Sequence, residues 1–300
     1  MYVITGATGH TGSVVADRLL EKGEKVRVLG RDMKKLERFT RKGAEAYTVQ
    51  VEDAASLKKA LAGAEAVYVL IPPSLAEPDF RGYQERVGDA FAAALRESGA
   101  QRAVVLSSIG ADKPEKTGPI LGLRHLEQKV NSVEGLDVLS LRAGYFLENF
   151  LAQIAVIPAL GSMAGELRPD LKLSMIATRD IGARAAEALL RKDFTGKQTQ
   201  ELLGAEESTC AKAAAAIGKA IGKPDLKYMQ LPPEQLKPAM MKMGMSAAMV
   251  DQLSEMSASL NSGYIVPLEK RSPRNTAPTT LEQFAAEVFA PAFKSKAAAA

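Results

Sequence analysis

Residues 5–12 read TGATGHTG, and they follow directly on the apolar stub MYVI at residues 1–4. Gly6, Gly9 and Gly12 are thus placed between a short strand-like run and the helical stretch SVVADRLLEKG. Three glycines in that context have three jobs: a tight turn, close backbone approach to a phosphate, and close packing of helix on strand. The open N–H groups at the helix start then face the negative phosphates. Thr8, His10 and Thr11 join the loop through backbone or hydroxyl contacts, and His10, lying at the phosphates, is not expected to do catalysis.

Working outward, the first half alternates short β-branched runs with longer helical patterns, the signature of a parallel sheet covered by helices. Strands are expected at residues 2–5, 25–30, 46–51, 66–71, 103–107 and 138–142. Val14, Val15, Leu19 and Leu20 form one face of the first helix, which Gly23 stops. Asp53 caps a helix running to Gly63, and YQERVGDAFAAALRESG is another of the same kind. The expected fold class is α/β, a doubly wound parallel sheet of the Rossmann type occupying residues 1–145.

After Arg142 the pattern changes. AGYFLENFLAQIAVIPALGSMAGELRPD is interrupted by Gly and Pro. TRDIGARAAEALLRK then reads as a helix entered at Asp180, QTQELLG as a strand, and residues 208–222 as an alanine-rich helix. A smaller, interleaved α/β region is expected over residues 146–293, with later segments returning to the sheet, and KSKAAAA at 294–300 is read as a tail. The interleaved region should lie over the carboxyl ends of the strands, where ligands sit in open α/β sheets.

Bulk properties exclude several classes. The 300 residues are 46% hydrophobic and 25% charged, with 39 basic against 35 acidic residues and a net charge of +4. That balance gives no sign of direct nucleic-acid binding, and no apolar run is long enough for a membrane span. Cys210 is the only cysteine, so no intrachain disulfide forms, and with no signal-like start a reducing cytoplasm is the expected home. One cysteine and two histidines supply no set with metal-ligand spacing.

The second strand ends in VRVLGRD, about twenty residues past the glycines, where an acidic residue would hold the ribose 2′-hydroxyl of NAD. Here Arg31 follows Gly30, and Lys35 lies four residues on. A guanidinium and an ammonium suit the 2′-phosphate of NADP. Asp32 can still reach a ribose hydroxyl, which leaves NAD(H) as the alternative, and RDMKK also reads as a solvated helix start.

TGATGHTG, GRDMKK, VYVLIPP, VVLSSIGA, LRAGYFLENF, RDIGARAAEALL and LLGAEESTCAKAAAAIGKAIG, in this order, resemble the NmrA-like group of atypical short-chain dehydrogenases/reductases over nearly the whole chain. Within it the chain is similar to bacterial NADPH-dependent quinone reductases and azoreductases. The resemblance implies NADP(H) in a cleft between a Rossmann domain and a small C-terminal substrate domain. It carries the 2′-phosphate role onto Arg31 and Lys35, and the pyrophosphate role onto residues 6–12. It sets Leu70, Ile71 and Pro72 beside the adenosine or ribose, and Gly144, Tyr145, Phe146 and Asn149 near the nicotinamide. Gln50 departs from the acidic residue that relatives often carry to contact adenine.

Short-chain dehydrogenases use a Tyr-x-x-x-Lys pair with a serine. Ser107 or Ser108 stands at the expected strand end, but GPILGLRHLEQKV holds no such pair, its relevant spacing running from Leu121 to His125. Two readings follow. In one, the protein reduces a quinone-like or other small electrophile by direct hydride transfer, without flavin, with Ser107, Tyr145 and His125 as catalytic candidates and Phe146 and Asn149 facing substrate. His125 can supply a proton; it also reads as a helix-surface residue. In the other, the protein binds NADP(H) without turnover and reports redox state to a protein partner. PAMMKMGMSAAMVDQLSEMSASL sets Met241, Met245, Met249 and Met256 on roughly one helical face. That face suits a partner or homodimer contact, a pliable lid, or simple helix core.

Overall fold

The computed structural model describes residues 1–298. The chain opens with β1 (Tyr2–Ile4), and the glycine turn leads into α1 (His10–Glu21). Then follow β2 (Val26–Gly30), α2 (Met33–Thr40), β3 (Glu45–Thr48), α3 (Ala54–Leu61), β4 (Ala66–Val69), α4 (Phe80–Ser98), β5 (Arg102–Ser108), α5 (Ile120–Asn131) and β6 (Asp137–Ala143). Asp32 and Asp53 cap α2 and α3 by accepting from the amides of Lys34 and Ala55. Asp79 caps α4, which Gly99 ends in the left-handed conformation at φ 77°.

Beyond β6 come β7 (Tyr145–Phe146), a 3₁₀ turn (Leu147–Ala152), α6 (Gln153–Leu160), β8 (Met163–Gly165), β9 (Leu173–Ile176), α7 (Thr178–Arg191) and β10 (Lys197–Leu202). The chain then runs through β11 (Glu207–Ser208), α8 (Cys210–Ala220), β12 (Tyr228–Gln230), α9 (Pro233–Lys242) and α10 (Ala247–Asn261). After α11 (Leu281–Phe284), a π-helical turn (Ala285–Phe289) and α12 (Ala290–Ala298) complete the described chain.

Seven strands form one sheet in the order β10-β6-β5-β4-β1-β2-β3, and every pairing in it is parallel. This is the doubly wound Rossmann arrangement, with the order reversing between β1 and β4. Alternate strand residues feed opposite faces. Ile4, Val28 and Tyr68 pack with α1, α2 and α7, while Val3, Leu29 and Val67 pack with α3, α4 and α5. Both faces are dry. Phe39 and Phe91, each fully buried, anchor the two sides, and truncating such a ring to Ala costs about 3–5 kcal/mol.

The smaller unit has its own core, in which Leu147, Phe150, Met163, Met175, Ile217, Phe284 and Phe289 meet. It is built on a three-stranded sheet, β11-β9-β7, and a two-stranded one, β12-β8. The chain returns to the large sheet through α7, which packs on α1, and β10, which pairs with β6.

Three local expectations need correction. α7 starts at Thr178 rather than at Asp180, because Glu148 reaches across and accepts the Thr178 amide at 2.9 Å. Asp180 instead binds the Thr279 amide and hydroxyl, both at 3.0 Å, fixing the C-terminal strand-like segment. The methionines do not share one helical face: Gly244 at φ 92° ends α9, Met245 lies in the turn, and Ser246 caps α10 by accepting from Met249. Met241 is 49% exposed while Met249 is 7% exposed. Residues 294–298 continue α12, and residues 299–300 of the expected tail lie outside the described residues. No helix among the described residues is long and apolar enough to cross a membrane.

Candidate functional site

The glycine turn sits at the carboxyl end of β1, beside the point where strand order reverses. Gly6 adopts φ 60°, and a Cβ there would come within 2.9 Å of the Leu70 side chain. A Cβ at Gly12 would lie 2.4 Å from the Gly6 carbonyl oxygen and 2.7 Å from that of Thr5, so helix and turn touch backbone to backbone. The Gly9 amide donates to the Gly6 carbonyl at 2.8 Å. Gly9 is the N-cap of α1 and brings no side-chain cap, which leaves the first-turn N–H groups open to an anion.

The turn is fastened to β4. The Thr5 hydroxyl donates to the Tyr68 carbonyl at 2.8 Å and accepts from the Leu70 amide at 3.1 Å. Thr11 faces inward, where its hydroxyl accepts from the Tyr68 phenol at 3.0 Å, so its side chain braces the loop instead of meeting a ligand. Burial pushes the Tyr68 pKa well up, against the effect of that hydrogen bond, and the phenol stays a donor. A turn packed too tightly for a Cβ at Gly6 or Gly12, with uncapped amides at the start of α1, fits a dinucleotide pyrophosphate.

A cleft of about 530 Å³ opens beside this loop. Thr8, Gly9, His10 and Ser13 form one wall, and Lys35 and Arg38 of α2 form the next. Glu148 and Val288 of the second unit, with Thr178 and Arg179 at the start of α7, close the far side. Lys35 is therefore at the cleft. Arg38 is a cleft residue that the motif reading missed, although its i, i+3 spacing from Lys35 places both on one helix face. Glu148 left no local signal. Its place depends on how the 3₁₀ turn meets α7.

Arg31 is exposed at the end of β2, and Asp32 is occupied as the cap of α2 at 3.0 Å from the Lys34 amide. Leu70 packs on Gly6, and the Pro72 carbonyl accepts from the Tyr83 hydroxyl at 2.8 Å. Burial pushes the Tyr83 pKa up to about 12, with Glu52 adding to the shift and the Arg31 charge opposing it. Gln50 is exposed, and its amide faces the Ser56 hydroxyl.

The remaining candidates are dispersed. Gly144 passes so close to β9 that a Cβ would lie 2.3 Å from the Ser174 carbonyl oxygen. Phe146 packs toward the large core, and Asn149 is exposed on the 3₁₀ turn. Tyr145 turns into the second unit's core, its ring 5.7 Å from that of Phe150. Burial raises its pKa far above the ordinary value, Cys210 adds to the shift, and Asn149 opposes it. Ser107, 2% exposed, has a buried hydroxyl without a hydrogen-bond partner.

His125 is not brought to the cleft. It lies on the α4–α5 seam, where its Nε2 is 3.0 Å from Asp89 and its ring edge would be 3.0 Å from a Cβ at Gly88. Lys129 binds the same Asp89 oxygen at 2.9 Å. Burial works to raise the Asp89 pKa, but the Lys129 and His125 hydrogen bonds outweigh it and hold the carboxyl below its ordinary value. The physical reason is helical phase: Leu126 and Val130 take the sheet-facing stripe of α5, which turns residue 125 onto α4.

Residues 2–285 match the NmrA-like family. The chain belongs to that family. It is 29% identical over 278 residues to an NAD(P)H azoreductase from Xenophilus azovorans, covering 92% of this chain and 93% of the relative. A (4-alkanoyl-5-oxo-2,5-dihydrofuran-3-yl)methyl phosphate reductase from Streptomyces griseus is 30% identical over 243 residues, 80% of each chain. An NADPH-dependent quinone oxidoreductase from Escherichia coli, solved with NADPH, superposes with a TM-score of 0.78 at 22% identity, over 96% of this chain and all of that one. In this NmrA-like chain the large sheet and the glycine turn thus share the fold of a dinucleotide-binding structure.

Proposed function

We propose that this NmrA-like protein is an NADPH-dependent oxidoreductase that reduces a quinone-like or other small electrophile. The observation that carries the reading is the Gly6–Gly12 contact: a Cβ on Gly12 would lie 2.4 Å from the Gly6 carbonyl oxygen, so the turn and the start of α1 pack backbone to backbone, with the uncapped α1 amides beside them. Two curated relatives named as reductases support the reductase class, one of them an azoreductase using NAD(P)H.

The glycine turn would hold the pyrophosphate through the α1 amides, and the basic wall on α2 favours a 2′-phosphate over a bare hydroxyl. Bound NADPH supplies a hydride. Leu70, Ile71 and Pro72 would line the adenosine side, and Gly144 and Phe146 would lie toward the nicotinamide, where an apolar backbone-close surface excludes water. Glu148, pinned to the Thr178 amide, ties the second unit to the cleft and sets how far the two walls stand apart. A quinone carbon is already activated, so orienting two rings is the larger part of the task. The proton that completes hydroquinone formation can come from solvent.

The test is NADPH oxidation by purified protein over a panel of quinones and azo dyes, without flavin and with NADH in parallel. Turnover well above the uncatalysed rate, with NADPH preferred, is the expected result. One observation favours a second reading, that of an NADP(H)-binding redox sensor: His125 and Tyr145, two of the catalytic candidates, lie on the α4–α5 seam and against the second unit's core. Tight NADPH binding with no turnover on any acceptor would select it.

A further inference from the structure

Two cations of α2 face the cleft, and they are held differently. Lys35 is exposed. Arg38 is fixed on two sides: its Nη2 lies 2.9 Å from the Asp17 carboxylate of α1, and its guanidinium stacks 4.2 Å over the centre of the Phe39 ring. Phe39 is fully buried, so the ring beneath the guanidinium is packed into the core. The same Asp17 carboxylate also binds Lys42 at 2.7 Å. One carboxylate shared between two cations leaves a net positive charge at the rim.

An exposed pair of this kind contributes little to stability, about 0–1 kcal/mol, because solvent screens it and ordering two side chains costs entropy. Its consequence is geometric. A planar guanidinium held by one edge and one face presents its remaining N–H groups in a fixed direction, the arrangement suited to a phosphate. The acidic side chain that would contest this spot, Asp32, is already spent on the Lys34 amide. Arg38 and Lys35 also share their cleft with Thr8, Gly9 and His10 of the phosphate turn. In this topology the adenine ribose lies between that turn and the end of the neighbouring strand β2.

We propose that Arg38, together with Lys35, takes the 2′-phosphate of the bound dinucleotide, and that Asp17 is the positioning residue that aims Arg38. The inference rests on the dinucleotide reading above and adds to it which side chains make the choice between phosphate and hydroxyl. Arg31, exposed directly after β2, is left to the adenosine side.

Calorimetric titration with NADPH, NADH, 2′,5′-ADP and 5′-AMP tests this, since each pair differs only by the 2′-phosphate. Arg38→Ala should weaken NADPH and 2′,5′-ADP about tenfold, the size of one charge-assisted hydrogen bond, and leave NADH and 5′-AMP unchanged. Asp17→Asn should lower the NADPH:NADH affinity ratio in the same direction, and Asp17→Glu should restore much of it. Lys42→Ala, which removes the other partner of Asp17, should leave the ratio intact. An Arg38→Ala protein with full discrimination overturns the inference alone, as does equal weakening of all four ligands. Tighter NADPH binding by Asp17→Asn overturns the positioning role, because the carboxylate would then be acting by repulsion. Wild-type protein that binds neither dinucleotide overturns the cofactor reading, and this inference with it.

Discussion

Gly12 and Gly6 meet at their backbones: a Cβ on residue 12 would stand 2.4 Å from the Gly6 carbonyl oxygen, closer than atoms can approach. The obstructing atom is main chain, so no rotamer change relieves the clash, and either α1 or the turn must shift. Gly12→Ala is therefore expected to destabilise the protein by about 1–3 kcal/mol, as overpacking does. It should also weaken NADPH by more than Arg38→Ala does, with NADH affected equally. Urea denaturation and calorimetry check the two halves. A variant with wild-type affinity for both dinucleotides would remove the loop from the cofactor site.

His125→Ala and Tyr145→Phe are expected to leave turnover with quinones unchanged. His125 is committed to Asp89 on the α4–α5 seam, and the Tyr145 ring lies in the second core against Phe150. Loss of the exposed His125 contact should cost no more than about 1 kcal/mol. A large fall in kcat for either variant, with KM unchanged, would return that residue to the proton-transfer role.

The Arg142–Glu127 pair behaves differently. Its oxygens and nitrogens meet at 2.9 and 2.6 Å in a two-pronged contact, with side chains only 15% and 6% exposed. The Glu127 hydrogen bond and charge outweigh burial and keep the Arg142 pKa above its ordinary value. Glu127→Gln leaves an uncompensated guanidinium under α5 and should cost about 3 kcal/mol. A shift of under about 1 kcal/mol in urea melts would show that Glu201 and Asp112 compensate.

Glu65 joins Lys192 and the Met1 amino group at the amino ends of the central strands β1 and β4. The Lys192 hydrogen bond holds the Glu65 pKa below 4.5, and the same contact holds that of Lys192 above 10.5. A lowered carboxyl pKa stabilises above the ordinary value and loses that contribution as pH falls through the folded one. A raised lysine pKa stabilises below its ordinary value and loses it as pH rises through the folded one. The pair therefore contributes across the neutral range and fades at both ends. Thermal melts of Glu65→Gln should fall below wild type at pH 7 and converge with it near pH 3, a parallel offset at all pH values being the contrary result.

Much of the fold could be read from local pattern. Five of the first six strands, all but the exposed edge strand β3, were legible because a buried parallel strand needs a largely apolar run, and Gly23, Gly63 and Gly99 mark helix ends where only glycine takes a positive φ without strain. The cap at Asp53 has the same short-range origin. Lys35 was legible for a related reason, since an α/β turn puts the start of α2 beside the end of β2. Errors arose where a partner distant in sequence decides. Asp180 looks like a cap until Glu148 takes that place from another element, and the methionine stripe assumes a continuous helix that Gly244 interrupts.

By itself, then, the sequence determined the parallel α/β order, the phosphate turn and the basic character of α2, because each is set by contacts within a few residues of the chain. Only the tertiary structure decided that Arg38 faces the cleft on Asp17 and Phe39, that Thr11 turns inward to Tyr68, and that His125 belongs to Asp89. Those assignments depend on which helix packs against which, and at what phase. A side chain's neighbours across a helix–helix seam are fixed by packing the whole core, information that no single stretch of sequence contains.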